Sequence, residues 1–396
     1  MRFIGLIVFL FAAATSFGQD SAKVKRDGPP PVTLRGYIKN LQSVSHAPQA
    51  DLTALSNLIH NRLNFRWYAT EGLTFGLEQR TRIFVGDDVR LNPLLTEQLE
   101  MDPGIVDASW LIWSSNSAAM HTRLERLWID YAANTWEARI GRQRINWGMH
   151  LVWNPNDLFN TFAFLDFDYE EMPGADAARV IFYPGTQVIE LAYSPDFRNQ
   201  NQHIAAARYG FNFGSYDMQV IGGWRYDQAV VGLGWAGNLG NASLKGEAAW
   251  FHPVLDGAPE TEGFTAAVSV DHTFEKPVYV HAAYLYSSRG SNEELNAEDL
   301  LGFNPLAVPS PDRLMLSQHS MLGQAVWTAT PLLNVSGTVI YGPGPDMLIV
   351  FPGVGYSIAD NWDLLLNAQF FWASGFDQEG LTNLADVVFL RTKWSF

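Results

Sequence analysis

The sequence predicts an all-β fold: a transmembrane antiparallel β-barrel of about 18 strands, in a range of roughly 16–18. From Val32 onward, apolar and polar residues alternate in segments of about ten residues, the length with which a tilted strand crosses a bilayer. The connections alternate between short turns and long loops, and the chain ends on an aromatic residue, Phe396. Strands that turn one apolar face to lipid and one polar face to a lumen account for all three observations.

Residues 1–31 precede the predicted barrel, which covers residues 32–396. Residues 1–18 contain one basic residue, Arg2, then an apolar run, then small residues at Ser16 and Gly18, the pattern of a secretory signal peptide. Residues 19–31 are polar and end in three prolines, which predicts a flexible periplasmic leader. The chain contains no Cys, which excludes a lipoprotein anchor, disulfides and thiolate metal sites.

The composition excludes several classes of protein. The formal net charge is −15 and no basic stripe occurs, so nucleic-acid binding is not expected. The nine His residues show no ligand spacing, and neither HExxH nor GxSxG occurs, so we expect no metal, no cofactor and no enzymatic activity. His319 and Ser320 are adjacent in a predicted strand and point to opposite faces, so they cannot form a catalytic pair.

Four segments show the strand alternation most clearly. They are residues 59–69, 73–82, 242–251 and 362–371. In the first, Leu63, Phe65 and Trp67 share one face, and Arg62 and Arg66 lie on the other. The apolar face of each segment is therefore expected to contact lipid.

The connections differ in length on the two sides of the predicted barrel. Short turns are predicted at residues 71–72, 133–134, 184–185, 214–215, 238–241, 275–277, 330–332 and 359–361. Longer loops are predicted at 46–56, 85–118, 148–176, 195–202, 252–262, 288–314, 343–346 and 373–384, with one short connection at 227–228. Such barrels have short periplasmic turns and long extracellular loops, so both chain ends are expected on the periplasmic side.

The last strand alternates up to the final residue. Its apolar face carries Val388, Leu390, Trp394 and Phe396. This pattern resembles the terminal strand of Gram-negative outer-membrane proteins. The resemblance implies that Trp394 and Phe396 form the signal for the barrel-assembly machinery.

Several strand arginines are predicted to face the lumen. An Arg on the lipid face at mid-bilayer costs roughly 2–4 kcal/mol in such barrels, and several would exceed the roughly 5–15 kcal/mol that stabilises a typical protein. The residues lying opposite an apolar face are Arg62, Arg66, Arg80, Arg82, Arg126 and Arg139. They come from the first third of the chain, which predicts one electropositive wall.

The strand that begins at Trp136 contains a conflict. Arg139 faces inward by alternation, but continued alternation would turn Arg142 and Arg144 toward lipid. We therefore predict a β-bulge or kink near Gly141 that turns both arginines inward. After Trp147 and Gly148 the alternation stops.

The segment after this strand is predicted to be a long loop folded into the lumen. Asn154 and Pro155 supply turn chemistry. The acidic residues of the segment are Asp157, Asp166, Asp168, Glu170, Glu171 and Asp176, and Arg179 follows. Charges of opposite sign across a narrow lumen would form a selective constriction. The alternative, in which these carboxylates form salt bridges that only anchor the loop, stays open.

This segment carries a resemblance. Residues 139–160 (RIGRQRINWGMHLVWNPNDLFN), then DYEEMPGADAARV and YPG at 183–185, resemble a segment in porin-like outer-membrane barrels of Bacteroidetes, broadly similar to alginate-export-type barrels. The resemblance implies a monomeric, loop-gated channel with a basic lumen for anionic solutes or polysaccharide. The implied pore-loop residues are Arg139, Arg142, Arg144, Trp147, Asn154, Pro155, Asp157, Glu170, Glu171, Asp176 and Arg179.

The function expected from the sequence is a channel for passive or modestly selective diffusion of small anionic hydrophilic solutes. Two alternatives stay open: an export pore for an anionic polysaccharide, and an accessory barrel of a secretion or surface complex with a closed lumen. The expected location is the bacterial outer membrane, and the expected partners are outer-membrane lipid, the assembly machinery and the solutes. The sequence does not separate a monomer from a trimer.

Overall fold

The computed structural model describes residues 30–102, 104–161, 165, 171–195, 203–255, 259, 261–294, 309–374 and 380–396. The predicted signal peptide and residues 19–29 of the predicted leader lie outside these residues. The strands are β1 (Val32–Ala47), β2 (Leu52–Thr70), β3 (Leu73–Gly86), β4 (Ser109–Ser114), β5 (Ala118–Ala132), β6 (Trp136–Gln143), β7 (Ala175–Phe182), β8 (Val188–Ser194), β9 (Ile204–Phe213), β10 (Tyr216–Arg225), β11 (Gln228–Leu239), β12 (Ala242–Pro253), β13 (Gly263–Thr273), β14 (Val278–Ser287), β15 (His319–Thr330), β16 (Leu333–Gly342), β17 (Met347–Ala359), β18 (Trp362–Ala373) and β19 (Thr382–Ser395).

Helices are few and short. A 3₁₀ turn spans Pro48–Ala50, and two α-helices span Asp87–Leu91 and Leu95–Glu100. Among the described residues, no helix has the length and apolar character needed to cross a membrane.

Eighteen of the strands close into one antiparallel barrel, which confirms the predicted fold class. Strands that are adjacent in the barrel are also adjacent in sequence, except where β1 meets β19 and where β3 meets β5, which have β4 between them in the chain. At this seam the backbone N–H of Gly36 donates to the carbonyl of Phe396, and the N–H of Phe396 donates to Gly36, both at 2.9 Å. The last residue therefore completes the wall.

The extra strand, β4, fills a gap in the wall. β5 pairs along its whole length with β3 on one edge. On its other edge, the segment from Ala119 to Arg123 pairs with β4, and the segment from Leu127 to Ala132 pairs with β6. β4 therefore continues the wall above the point where β6 ends.

Two loop boundaries differ from the sequence-based prediction. The predicted loop 46–56 is wrong, because β1 and β2 extend over 16 and 19 residues and leave only residues 48–51 between them. The long connection predicted at 148–176 begins earlier, since β6 ends at Gln143 and β7 begins at Ala175. We call residues 144–174 the lumen loop. Residues 144–147 alternate between polar and apolar side chains as the strand before them does, so the sequence did not show where β6 ends.

The strand register separates an outer from an inner face. Directly paired residues in an antiparallel sheet point to the same side. Large apolar residues on one face are exposed, for example Leu127, Ile140 and Leu390, as expected for a surface in contact with lipid. Residues of the opposite parity are largely buried, and they include both charged residues and two apolar clusters. These clusters are where the lumen loop packs.

Candidate functional site in the lumen

Basic side chains form a row across five neighbouring strands on the inner face. Strand pairing places Lys393 beside Lys39, Lys39 beside His60, His60 beside Arg82 and Arg82 beside His121. Directly opposed residues have Cβ atoms about 4.5–5.5 Å apart. The row therefore runs round the lumen from β19 to β5 as a continuous line of lysine, arginine and histidine side chains.

A second row lies one step nearer the periplasmic end. It consists of Arg62, Arg80 and Arg123 on β2, β3 and β5. Arg80 pairs with Glu125 at 2.9 Å, and both side chains are buried. Arg123 donates to the carbonyl oxygen of Met101 at 2.7 Å, so it also fixes the segment that leads into β4.

A β-bulge in β5 supplies the carboxylate of this row. Glu78 pairs with Arg126 while Gln79 pairs with Leu124, so Glu125 is an extra residue in the ladder. A bulge changes the direction of side chains locally, and here it brings Glu125 inward beside Arg80. The prediction that a β-bulge or kink near Gly141 turns Arg142 inward was wrong: β6 stays in register with both neighbours, although Gly141 has φ +115°.

Arg142 lies in the wall rather than in the lumen, in contrast to its predicted position. It pairs with Leu127, which is an outward-facing residue. All five guanidinium N–H groups are used: two donate to Asp176 and one to Asp102, and the other two donate to the carbonyl oxygens of Leu124 and Val106, at 2.8–3.1 Å. Asp176 also accepts the N–H of Ile105.

This Arg142 cluster closes the corner at which the chain leaves the wall. Asp102 receives the N–H groups of Gly104 and Ala108 and so shapes the segment that covers the guanidinium. Arg142 and Asp102 are buried. Five satisfied donors explain how an arginine of lipid-facing parity is tolerated there.

Glu247 on β12 anchors the start of the lumen loop. Its buried carboxylate accepts the backbone N–H groups of Met149, His150 and Asn156, the last two at 2.7 and 3.1 Å. The wall also donates to the loop, since Gln219 Nε2 lies 2.6 Å from the carbonyl oxygen of Trp147. Polar inward positions on β10 and β12 therefore fix this part of the loop through its backbone.

Asp157 organises the turn within the loop. Its Oδ1 accepts the N–H groups of Trp147 and Gly148, both at 2.7 Å, and the residue is 1% exposed. Gly148 has no room for a side chain, because an added Cβ would collide with Asn154. Burial raises the pKa of Asp157 to about 7, against the opposing effect of the two N–H groups.

We expect the docking of this turn to weaken with rising pH. An acid whose pKa is raised in the docked state stabilises docking fully below its ordinary pKa, and that stability is lost as the pH rises through about 7. Between pH 5.5 and 8, amide protection factors at Trp147 and Gly148 should fall on the order of tenfold. Asp157→Asn should remove this dependence, and Asp88→Asn, at an exposed helix residue, should not. A wild-type protection that is flat with pH would contradict the prediction.

The middle of the lumen loop packs against the far wall. Trp153 is fully buried in an apolar cluster with Leu285, Ile340 and Ile349 from β14, β16 and β17. Further on, Gln369 Nε2 donates to the carbonyl oxygen of Leu165 at 3.2 Å. The described residues of the loop therefore contact the wall from β10 round to β18.

The end of the loop returns to the basic wall. Glu171 lies 3.0 Å from Arg62 and 3.1 Å from Arg126, and both arginines also contact Glu78. Arg126 donates to the carbonyl oxygen of Met172. Glu171 is 34% exposed in its side chain, so this ion-pair group faces open space on one side.

The remaining predicted residues occupy the periplasmic half or the loop. Arg139 pairs with Asp130 at 2.8 Å, and Arg179 pairs with Glu190 at 2.6 Å. Arg66 is exposed near the ring of Trp128, and Arg144 is exposed at the start of the lumen loop. Asp166, Asp168 and Glu170 lie outside the described residues.

Several residues of the site were not identified from the sequence. They are Lys39, His60, His121, Arg123, Glu125, Glu190, Glu247, Lys393 and Arg208, whose guanidinium lies 2.8 Å from Glu190. For those in regular strands the signal was present, because each occupies the polar side of an alternating segment. Glu125 is the extra residue of the bulge and had no such signal.

Neither a protein-family model nor a curated protein sequence matches this chain. Solved structures do. OccK11 (OpdR) of Pseudomonas aeruginosa aligns with a TM-score of 0.58 at 11% identity, over 92% of this chain and 96% of that chain. OpdQ aligns with a TM-score of 0.59 at 9% identity, over 93% and 99%. OpdK solved with vanillate aligns with a TM-score of 0.55 at 10% identity, over 92% and 98%. The chain therefore has the closed 18-strand barrel fold of the Pseudomonas outer-membrane porins.

Proposed function

We propose that this chain is an outer-membrane channel for passive or modestly selective diffusion of small, anionic, hydrophilic solutes. The observation that carries the proposal is the basic inner face of β19, β1, β2, β3 and β5. Its cations are Arg35, Lys39, Arg62, Arg66, Arg80, Arg82, Arg123, Arg126, Arg391 and Lys393, against the carboxylates Glu78, Glu125 and Asp130. A cleft lined by one sign of charge concentrates solutes of the opposite sign.

The neighbours support the solute class. OpdK was solved with vanillate, which is an aromatic carboxylate. A carboxylate that enters this lumen would meet the half-buried Lys393 and Arg82 of the first row, whereas Lys39 between them is fully buried. Arg and Lys bind carboxylates through charge-assisted hydrogen bonds. Several such groups in one row let the solute pass from one to the next without binding so tightly to any of them that it cannot leave.

The lumen loop favours a narrow path over a wide one. Glu171 contacts Arg62 and Arg126 on one wall, and Trp153 is buried against the other. An export pore for an anionic polysaccharide needs a wide lumen of one sign, so the loop weighs against that alternative. An accessory barrel with a closed lumen would conduct no ions.

The finer expectations belong to the same proposal and are supported by the sequence alone. They are the likeness of residues 139–185 to Bacteroidetes and alginate-export-type barrels, and the role of Trp394 and Phe396 as the assembly signal. A passive channel needs no cofactor and no catalytic group.

The test is single-channel conductance of the refolded protein in a planar bilayer with a salt gradient. We expect stable steps with anion preference. The double variant Arg82→Glu, Lys393→Glu should lower the anion-to-cation permeability ratio by roughly threefold or more, because it reverses two charges of the first row. Lys276→Glu, in a periplasmic turn, is the control of equal chemistry and should change little.

Two outcomes would overturn the proposal. A folded, heat-modifiable barrel without any conductance would favour the accessory alternative. Conductance whose ion preference is unaffected by the double variant would show that the basic row does not line the path.

A further inference from the structure

The outer face of the barrel is apolar over most of its circumference. Among the described strands β8–β18, apart from Thr330 at the end of β15, the outward positions carry no Asn, Gln, Ser, Thr, Asp, Glu, Lys or Arg. The other exceptions to apolar character are His252, His272 and His319, each within a residue or two of a strand end. This is the composition expected of a surface that contacts lipid.

The outer face of β1, β2 and β3 differs. Its outward positions include Asn40, Gln42, Asn57, Asn61, Gln79 and Thr81. We call these six residues the polar patch. Their outward direction follows from the register, since they alternate with the inward residues Lys39, Arg62 and Arg80.

Asn61 and its neighbour Thr81, in the middle of the polar patch, lie at the depth of the hydrocarbon core. Near the periplasmic end, Trp67 stacks on Phe75 with ring centroids 5.0 Å apart, as in an interfacial aromatic girdle. Asn61 precedes Trp67 by six residues on the same outward parity. With about 3.3 Å per residue and a tilt near 45°, Asn61 is roughly 14 Å above the girdle, close to mid-bilayer.

The patch is partly satisfied within one copy. Asn40 and Asn57 exchange hydrogen bonds between their amides at 3.1 and 3.2 Å. Gln79 donates to Thr81 at 3.2 Å and to Thr122 at 3.1 Å, and Asn61 donates to the carbonyl oxygen of Tyr37 at 3.2 Å. An amide side chain can form up to four hydrogen bonds. Among the described contacts these amides form fewer than four. They therefore keep donors and acceptors without a partner on a face where the hydrocarbon of lipid cannot form hydrogen bonds.

We propose that a second copy of this chain covers the polar patch in the membrane. The patch is neutral, and its amides are donors and acceptors at once, so the same surface on another copy can complement it. A partner that binds through charge would find no counter-charge in the patch. Neutral polar side chains are the groups that join protein segments inside a bilayer, because they gain hydrogen bonds without the cost of burying a charge.

The test uses the absence of Cys from the chain, which makes every introduced Cys unique. Gln42→Cys, Asn61→Cys and Thr81→Cys are made singly in the full chain and oxidised in outer membranes. Val220→Cys and Val268→Cys, outward positions in the middle of β10 and β13, are the matched controls. Heat-modifiable migration verifies that each variant is folded. At least one patch variant should give covalent dimer in tenfold higher yield than either control.

A second measurement is independent of any Cys. Wild-type protein in mild detergent should sediment as a multiple of one chain, and Asn40→Val with Asn57→Val, which replaces the reciprocal pair by matching apolar groups, should shift it toward one chain. Equal crosslinking at patch and control positions would indicate random collision and overturn the proposal. Crosslinking to a chain of another mass, or a wild-type protein that sediments as one chain, would overturn it as well.

Discussion

Arg142→Met is expected to lower the free energy of unfolding of the barrel by about 3–5 kcal/mol, the usual cost of removing one partner from a buried ion pair. Asp102 and Asp176 would keep their negative charges without the guanidinium that neutralises them. The carbonyl oxygens of Leu124 and Val106 would also lose their donors. Unfolding in guanidinium chloride, followed by Trp fluorescence, measures the change.

Arg144→Met is the control for this prediction. Arg144 is two residues away and exposed, so its replacement should change stability by about 0.5 kcal/mol or less. Adding Asp102→Asn and Asp176→Asn to Arg142→Met should restore part of the loss, because the uncompensated charges disappear. Equal midpoints for Arg142→Met and Arg144→Met would contradict the role assigned to the cluster.

Glu247→Ala is expected to release the start of the lumen loop. Three backbone N–H groups, from Met149, His150 and Asn156, would lose their acceptor. Each buried donor left without a partner costs about 1–3 kcal/mol, which is enough to undock a segment while the barrel itself persists. In the proposed channel, unit conductance should rise several-fold and become noisy. Amide exchange at these three residues should accelerate by at least a hundredfold.

Two variants show whether the carboxylate is responsible. Glu247→Gln keeps one acceptor oxygen and should give an intermediate effect. Lys245→Ala lies two residues away on the same inward face and pairs with Asp271, so it should leave amide exchange in the loop unchanged. Wild-type exchange rates in Glu247→Ala would refute the anchoring role.

The strand pattern was sufficient to predict the barrel and much of its inner wall. Alternation with period two defines two faces, and an unpaired charge cannot remain in lipid, so Arg62, Arg80 and Arg126 could be assigned to the lumen. The same reasoning failed at Arg142. It assumed that an arginine of outward parity must be turned inward, whereas Asp102 and residues 104–108 fold over it and, together with Asp176 and the carbonyl oxygen of Leu124, satisfy every donor. That cover depends on a distant loop whose sequence carries no periodicity.

Long-range contacts account for what the sequence did not reveal. Glu247 was recognisable as a polar inward residue of an alternating strand, but its three partners are about a hundred positions earlier in the chain. Glu125 owes its position to a bulge that no glycine marks. The residues of the polar patch are also visible in the sequence. Their position on the outer face became clear only from the strand register, which puts Asn61 outward and Arg62 inward.

The seam between β1 and β19 has a consequence for folding. Every other pair in the wall joins strands that follow each other in the chain, apart from β3 and β5, which have only β4 between them. The barrel can therefore grow by local pairings, each with a small cost of loop closure. Only the seam requires the first strand to find the last, as when Tyr37 meets Ser395. We expect this step to be the slowest and to come after synthesis of the chain is complete. Until then two unpaired edges are open to other chains, so the rate at which they pair determines whether the product is a barrel or an aggregate.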